Sequence, residues 1–229
     1  MIGVTSFSAE GYKKYGHHFL KFIDNWPGKI ILYLEEPIDF EHEKLEKRDF
    51  FGIVGVNSFL ENIKDIPKAH GMGGPFYNYN FDLNKFCRKM FCQFDAFKEG
   101  GKIYWLDADL EFKKQIPEDL LINLFKDRSL VFMGREGLYT ECGVVGFDTE
   151  HEEFEIFEKR YKATLQKGLV FGLKKGWHDC YCFDWAKGRM GNNLTPNWKK
   201  GESLDVLSKT KLGKYMVHHK GNRKNKLCH

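Results

Sequence analysis

The stretch Lys102-Ile103-Tyr104-Trp105-Leu106-Asp107-Ala108-Asp109-Leu110-Glu111-Phe112 decides how the chain is read. Ile103 to Leu106 is a short, mostly apolar run of the kind that a sheet covers on both faces. It stops at two carboxylates one residue apart. Residues i and i+2 of a strand project to the same side, so Asp107 and Asp109 can converge on one point just past the strand end. Two hard oxygen ligands with room for water suit Mn²⁺ or Mg²⁺, above all when a substrate diphosphate completes the shell. In open α/β sheets ligands gather at the carboxyl ends of strands, which is where this pair falls. Asp-x-Asp by itself is common in solvated loops; the strand before it and the partners elsewhere in the chain give it weight.

Upstream, Asn84 to Phe97 is the clearest helix, with Phe86, Met90, Phe91, Phe94 and Phe97 forming its apolar stripe and Lys85 and Lys89, four apart, sharing another face. Gly100-Gly101 then leads into the Asp-x-Asp strand. Two lysines on the element before an acidic metal site can reach a diphosphate, or form a solvated basic face. At the N-terminus, Ile2 to Phe7 reads as a strand, Tyr12 to Ile23 as a helix with Ser8 a candidate N-cap, and Lys29 to Leu34 as a second strand. Strand, helix, strand within 35 residues predicts a parallel sheet with a right-handed crossover. Glu41 to Lys47 reads as a charged surface element, Phe51 to Val56 as a short strand, Ser58 to Asp65 as helical and His70 to Pro75 as a flexible loop.

Downstream, the pattern predicts a helix from Pro117 to about Phe125, a strand over Ser129 to Gly134, and a two-valine strand bracketed by glycines across Glu141-Cys142-Gly143-Val144-Val145-Gly146-Phe147. Glu153 to Lys167 is an amphipathic helix. In Trp177-His178-Asp179 a His-Asp pair lies among aromatics: acid/base equipment, since a carboxylate in apolar surroundings is tunable, or a helix N-cap by Asp179. Gly188 to Ser203 reads as a polar loop and Leu212 to Val217 as a last short strand, followed by His218-His219-Lys220-Gly221.

The composition is that of a globular chain. It has 229 residues, 42% apolar and 30% charged, with 21 Phe, enough for one full-sized core. No run reaches membrane-spanning length, and Met1 to Thr5 lacks a basic n-region and long apolar h-region, so a cytoplasmic location is expected. Its 6 cysteines form no Cys-x-x-Cys pair and read as reduced thiols. Residues 206–229 carry 7 Lys/Arg and no Asp/Glu, which leaves 29 basic and 32 acidic residues in the remainder. A basic terminus beside an acidic metal site suits a phosphate-bearing substrate; it equally suits a solvated tail or non-specific nucleic-acid binding.

Together these motifs resemble the nucleotide-sugar glycosyltransferases of the GT-A fold, in particular the family 8 (glycogenin- and galactosyltransferase-like) pattern and small bacterial and phage enzymes akin to it. Asp107-Ala108-Asp109 is similar to their Asp-x-Asp motif, and His218-x-x-Gly221-x-x-Lys224 to their C-terminal His-x-x-Gly-x-x-Lys motif. Lys85-Phe86-x-x-Lys89 resembles a basic helix of these small enzymes. The resemblance implies an α/β, Rossmann-like GT-A architecture: one domain over residues 1–229, a central mostly parallel sheet flanked by helices, and a basic segment 206–229 closing over the donor. It implies Mn²⁺ or Mg²⁺ on Asp107, Asp109 and His218, bridging the phosphates of a nucleotide-sugar, by default a UDP-sugar. Thr5, Ser6 and Phe7 would line the nucleobase pocket. Lys85, Lys89, Asp107, Gly221 and Lys224 would meet the donor, and Asp179, Glu141 and His178 would be catalytic. The family pattern usually continues into Pro-Trp, whereas Asn225-Lys226 follows Lys224 here. His219 adjoins His218, so either imidazole can be the ligand, and spacing favours His218. Family 8 resemblance leans toward retention; an inverting route would need Asp179 or Glu141 as base. The acceptor, whether glycan, protein or modified nucleic acid, is not readable.

Three other readings compete. A haloacid-dehalogenase-type phosphatase also sets Asp-x-Asp after an apolar strand, with the first Asp as nucleophile, but near its N-terminus and followed by Thr or Val rather than Leu110. A nucleotidyltransferase shares the metal–diphosphate logic. A basic-tailed nucleic-acid-binding module accounts for the tail but not for the acidic pair.

Overall fold

A computed structural model describes residues 1–202 and 205–220. The centre is a seven-stranded sheet in the order β3-β2-β1-β4-β7-β6-β8. Its strands are β1 (Ile2–Phe7), β2 (Lys29–Leu34), β3 (Leu45–Asp49), β4 (Lys102–Leu106), β6 (Leu130–Met133), β7 (Glu141–Asp148) and β8 (Asn192–Asn193). A separate two-stranded ribbon pairs β5 (Leu110–Phe112) antiparallel with β9 (Met216–His218). In the main sheet β1 pairs parallel with both β2 and β4, β2 with β3, and β6 with β8, while β7 runs antiparallel to β4 and β6. This is the α/β, mostly parallel arrangement expected from the opening strand–helix–strand order.

Strand alternation splits the core into two layers. Val4, Ile31, Tyr33, Ile103, Trp105, Val145 and Phe147 face one layer. It also holds the buried faces of α3 (Val56–Ile63), α4 (Leu83–Ala96), α6 (Phe154–Gln166) and α7 (Asp179–Lys187). Ile30, Leu32, Tyr104, Leu106 and Val144 face the other, with α2 (His17–Lys21), α5 (Glu118–Asn123) and the ribbon. Buried aromatics knit the first layer: Phe97 meets Phe147 edge-on at 4.9 Å, and Phe154 at 5.1 Å. Each such ring contributes about 1.5–3 kcal/mol through burial.

Several local expectations change. The helix expected over Tyr12 to Ile23 is broken into α1 (Ala9–Gly11), a π-helical turn Tyr12–Gly16 and α2. Gly11 and Gly16 are weak helix formers, and Gly16 is needed because a Cβ there would press on the Phe7 ring at 3.1 Å. The charged stretch after Glu41 supplies β3, an edge strand whose Glu46, Lys47, Arg48 and Asp49 blunt further pairing. Phe51 to Val56 is not a strand. It is a turn that ends at Gly55, in the left-handed region (φ +89°), before α3 starts at Val56. The polar loop after Gly188 gives up Asn192 and Asn193 as an edge strand. No described helix is long and apolar enough to cross a membrane.

Candidate active site

The chain leaves β1 for β2 and β3 on one side and later enters β4 on the other, so the carboxyl ends of β1 and β4 flank the point where strand order reverses. A cleft of about 670 Å³ opens there, with Ser6, Phe7, Lys85, Asp107, Glu141 and His218 among its walls. Strand parity carries Ile103, Trp105 and Asp107 toward α4, and a turn closed by Leu110 N donating to Asp107 O (3.0 Å) brings Asp109 back under the site.

The ribbon supplies the third member. Its register sets Leu110 opposite His218, and His219 N donates to Asp109 O (3.0 Å). His218 Nε2 therefore lies 2.9 Å from Asp109 Oδ1 and 3.6 Å from Asp107 Oδ2. Ligand atoms of Asp107, Asp109 and His218 all lie within 4.8 Å of one another. The imidazole is seated against the backbone of β7: a Cβ on Gly143 would collide with His218 Cε1. The glycine reading of the Glu141–Phe147 stretch thus has a specific cause, the close approach of a side chain from the far end of the described chain. His219 instead places Nε2 2.9 Å from Glu111 Oε2, outside the cluster, so geometry as well as spacing selects His218. Two carboxylates and one imidazole, converging on a polar cleft with Asp107 partly open to solvent, fit Mn²⁺ or Mg²⁺.

Lys89, from α4, does not face the cleft as a free cation. Its ammonium lies 3.0 Å from Asp107 Oδ1 and 2.9 Å from Asp179 Oδ2, and it donates to Cys142 O (2.5 Å). Burial alone would lower its pKa, but the two carboxylates hold it well above the usual lysine value. The same ammonium outweighs the burial of Asp179 and holds that carboxyl below its ordinary range. Trp105 Nε1 donates to Asp107 Oδ1 (2.6 Å), fixing that oxygen from a second side. Lys85 lines the cleft with its ammonium 5.7 Å from the Phe86 ring centroid.

Glu141 is buried at the start of β7 and accepts from Gly143 N (3.1 Å). Lys220 pairs with it, Arg135 Nη1 lies 3.7 Å away and His218 Nδ1 3.8 Å away. Burial would raise its pKa, yet Lys220, His218 and Arg135 together bring it below the usual glutamate value.

Other expected residues fall elsewhere. Thr5 is fully buried within the sheet and does not line the cleft, whereas Ser6 and Phe7 do. His178, not Asp179, caps α7: Tyr181 N donates to His178 Nδ1 (3.3 Å). Its ring is fully buried, stacked on Tyr79 and edged by Tyr139 and Phe86, and burial lowers its pKa. It therefore packs beneath the cleft and does not face it. Gly221 and Lys224 lie outside the described residues. Cys142, Asp179 and Cys180 also cluster within 4.8 Å, but Lys89 already occupies Asp179 and burial keeps the Cys142 thiol protonated. Residues that sequence reasoning missed here are Trp105, Arg135, Lys220 and the seat at Gly143. Only Gly143 carried a local signal.

No protein-family model matches the chain, and no curated protein matches it. Among solved structures it is similar to the bifunctional glycosyltransferase WbbM in its apo form, with TM-score 0.56 and 12% identity over 97% of this chain and 46% of that one. It is also similar to the glycosyltransferase GlyE of Streptococcus pneumoniae TIGR4, with TM-score 0.48 and 12% identity over 84% of this chain and 44% of that one. The chain spans about half the length of these structures, at 46% and 44%. The likeness to WbbM is one of fold, and the chain has a glycosyltransferase fold.

Proposed function

We propose that the chain is a metal-dependent glycosyltransferase that moves a sugar from a nucleotide-sugar, by default a UDP-sugar, to an acceptor. The observation that carries this is the Asp107–Asp109–His218 cluster at the switch point of a glycosyltransferase fold. WbbM, a bifunctional glycosyltransferase of similar fold, suggests the reaction class. The bound Mn²⁺ or Mg²⁺ would neutralise charge on the leaving diphosphate.

The chain's own residues orient and hold. Trp105 and Lys89 fix Asp107 Oδ1 and leave Oδ2 turned toward His218, an arrangement suited to a ligand rather than to a phosphatase nucleophile. Ser6 and Phe7 form the wall nearest β1, where the nucleobase is expected. Lys85 and Arg135, both in the cleft wall, face the space in which the diphosphate would sit. Lys220, held by Glu141, ties the end of β9 to β7 and so keeps His218 in place.

Neither carboxylate expected as a base is free. Asp179 is bound to Lys89, and Glu141 to Lys220 and Arg135, and both are held below their ordinary pKa. A strong base needs a pKa nearer the working pH. These two carboxylates therefore act by positioning, and the leaving phosphate accepts the acceptor's proton, as in the retaining course that family 8 resemblance favours. Incubating the protein with a panel of UDP-, GDP- and TDP-sugars and following release of the nucleoside diphosphate by chromatography tests the reading. Release that needs Mn²⁺ and is lost in Asp109→Ala supports it; absence of release from every UDP-, GDP- and TDP-sugar counts against it.

A further inference from the structure

Beside the cleft lies a second cavity of about 700 Å³, built almost wholly from residues 73–81 with Lys68 and separated from the first by a shared wall, Tyr79. Its rim is anomalous for a solvent-facing surface. Phe76 is 83% exposed, and Tyr77 and Tyr79 are each at least half exposed, so one short loop presents three large aromatic side chains to solvent. Exposed large aromatic side chains gathered around one cavity mark a binding surface.

The loop is braced from behind. Asn78 N donates to Gly71 O (2.7 Å), Trp177 N to Asn80 O (2.7 Å), and Tyr77 Oη to Asp82 Oδ2 (2.7 Å). Gly71 adopts φ +73°, and a Cβ there would meet the Tyr77 ring at 2.6 Å, so this glycine lets the ring lie flat against the backbone. Lys68 Nζ sits 4.3 Å from the Phe81 ring centroid and 4.5 Å from that of Trp177, clamping the base of the loop. The Tyr77 and Tyr79 rings, the latter packed on Phe86 and His178, are therefore held in place before any ligand arrives, which lowers the ordering cost of binding.

We propose that this loop is the acceptor platform and that its occupant is a neutral pyranoside of a glycan. The proposal rests on the transferase reading of the adjoining cleft for its role, but not for its ligand chemistry. Pyranose rings offer an apolar C–H face and a polar rim, which match an aromatic face edged by the Tyr77 and Tyr79 hydroxyls. The hydrogen bond to Asp82 pushes the Tyr77 phenol up to about 12 and burial pushes that of Tyr79 up to about 12, so both stay neutral. Tyr77 gives its proton to Asp82 and offers the sugar an acceptor, while Tyr79 offers a donor. The charge on the platform argues against a polyanion. A nucleic acid can stack on the same rings, but it needs a track of cations for its phosphates. Among the lining residues Lys68 is the single cation, and it is engaged by two rings. Continuity through Tyr79 would deliver a hydroxyl of the stacked sugar toward the cleft that holds the donor.

The test uses the full chain with lactose, cellotetraose and maltotetraose as probes in saturation-transfer NMR, and oligothymidylate in fluorescence anisotropy. Wild type should transfer saturation to pyranose C–H protons of at least one oligosaccharide. Phe76→Ala should weaken that binding about five-fold, within the range one aromatic contact carries, and Phe76→Trp should preserve it. Phe76 is so exposed that neither change threatens folding, and Mn²⁺-dependent UDP binding should stay within about two-fold in both. Absence of binding to all three sugars, equal binding by Phe76→Ala, or salt-sensitive oligothymidylate binding lost in Phe76→Ala without sugar binding would each overturn the platform. Sugar binding that depends on Phe76 in a protein that binds no UDP would support the platform and overturn the transferase reading.

Discussion

Lys89 is the residue whose removal should be felt most widely. Its three ammonium N–H groups have three partners, Asp107, Asp179 and Cys142 O, and both Lys89 and Asp179 are nearly buried. Lys89→Met keeps an unbranched stem of similar length, loses the ammonium that lies 5.2 Å from the Trp105 ring centroid, and leaves the buried Asp179 carboxylate without its cation. Removing one partner of a buried pair costs about 3–5 kcal/mol. For a chain of this size about 1 kcal/mol moves the melting temperature by roughly 2–4 °C, so the expected loss is about 6–20 °C. Adding Asp179→Asn to Lys89→Met removes the stranded charge and should return a good part of that loss, since Asp107 remains partly solvated. Thermal melts followed by circular dichroism of the wild type, the two single variants and the double variant form a cycle that isolates the pair. The reasoning fails if Lys89→Met melts within about 2 °C of wild type, or if the double variant is no more stable than the single.

Three further outcomes follow from the same geometry. Gly143→Ala forces a methyl group into the His218 ring, so Mn²⁺ affinity measured by calorimetry should fall at least about ten-fold; unchanged affinity would mean the imidazole is not a ligand. His218→Ala should abolish Mn²⁺ binding, while His219→Ala, which loses only its contact with Glu111, should leave it within about two-fold. Asp179 and Glu141 have folded pKa values below their unfolded values of about 4. Their pairs therefore stabilise the fold above that pH, and this stability is lost as pH falls through the folded values. Melting temperature should drop steeply below about pH 4, and a flat profile down to about pH 2 would contradict the assignment.

What could be read from the residues alone was what short-range physics writes into them. β1, β2, β4 and β7 are apolar on both faces because helices cover both, and that pattern survives without any partner in view. Asp107 and Asp109 were legible because the strand before them fixes where they point. The Tyr12–Ile23 helix was read too smoothly because its glycines serve contacts with Phe7, which lies outside the helical period. β3 was hidden by its charges, which edge strands carry for reasons of solubility. The roles given to Lys89 and His178 had to change because burial and tertiary partners decide them: a lysine on the expected face turned inward to two carboxylates, and a histidine became a cap under three rings. Gly143 shows the limit most plainly. The glycine is visible in the sequence, but the side chain it makes room for is not.

The central claim is that the Asp107–Asp109–His218 cluster holds a metal ion for a nucleotide diphosphate. Calorimetric titration of UDP into the protein, with and without Mn²⁺, on wild type and Asp109→Ala, tests it most directly. The account predicts UDP binding that requires Mn²⁺ and disappears in Asp109→Ala while the variant stays folded by circular dichroism. UDP binding of equal strength with and without Mn²⁺, or binding undiminished in Asp109→Ala, would contradict it.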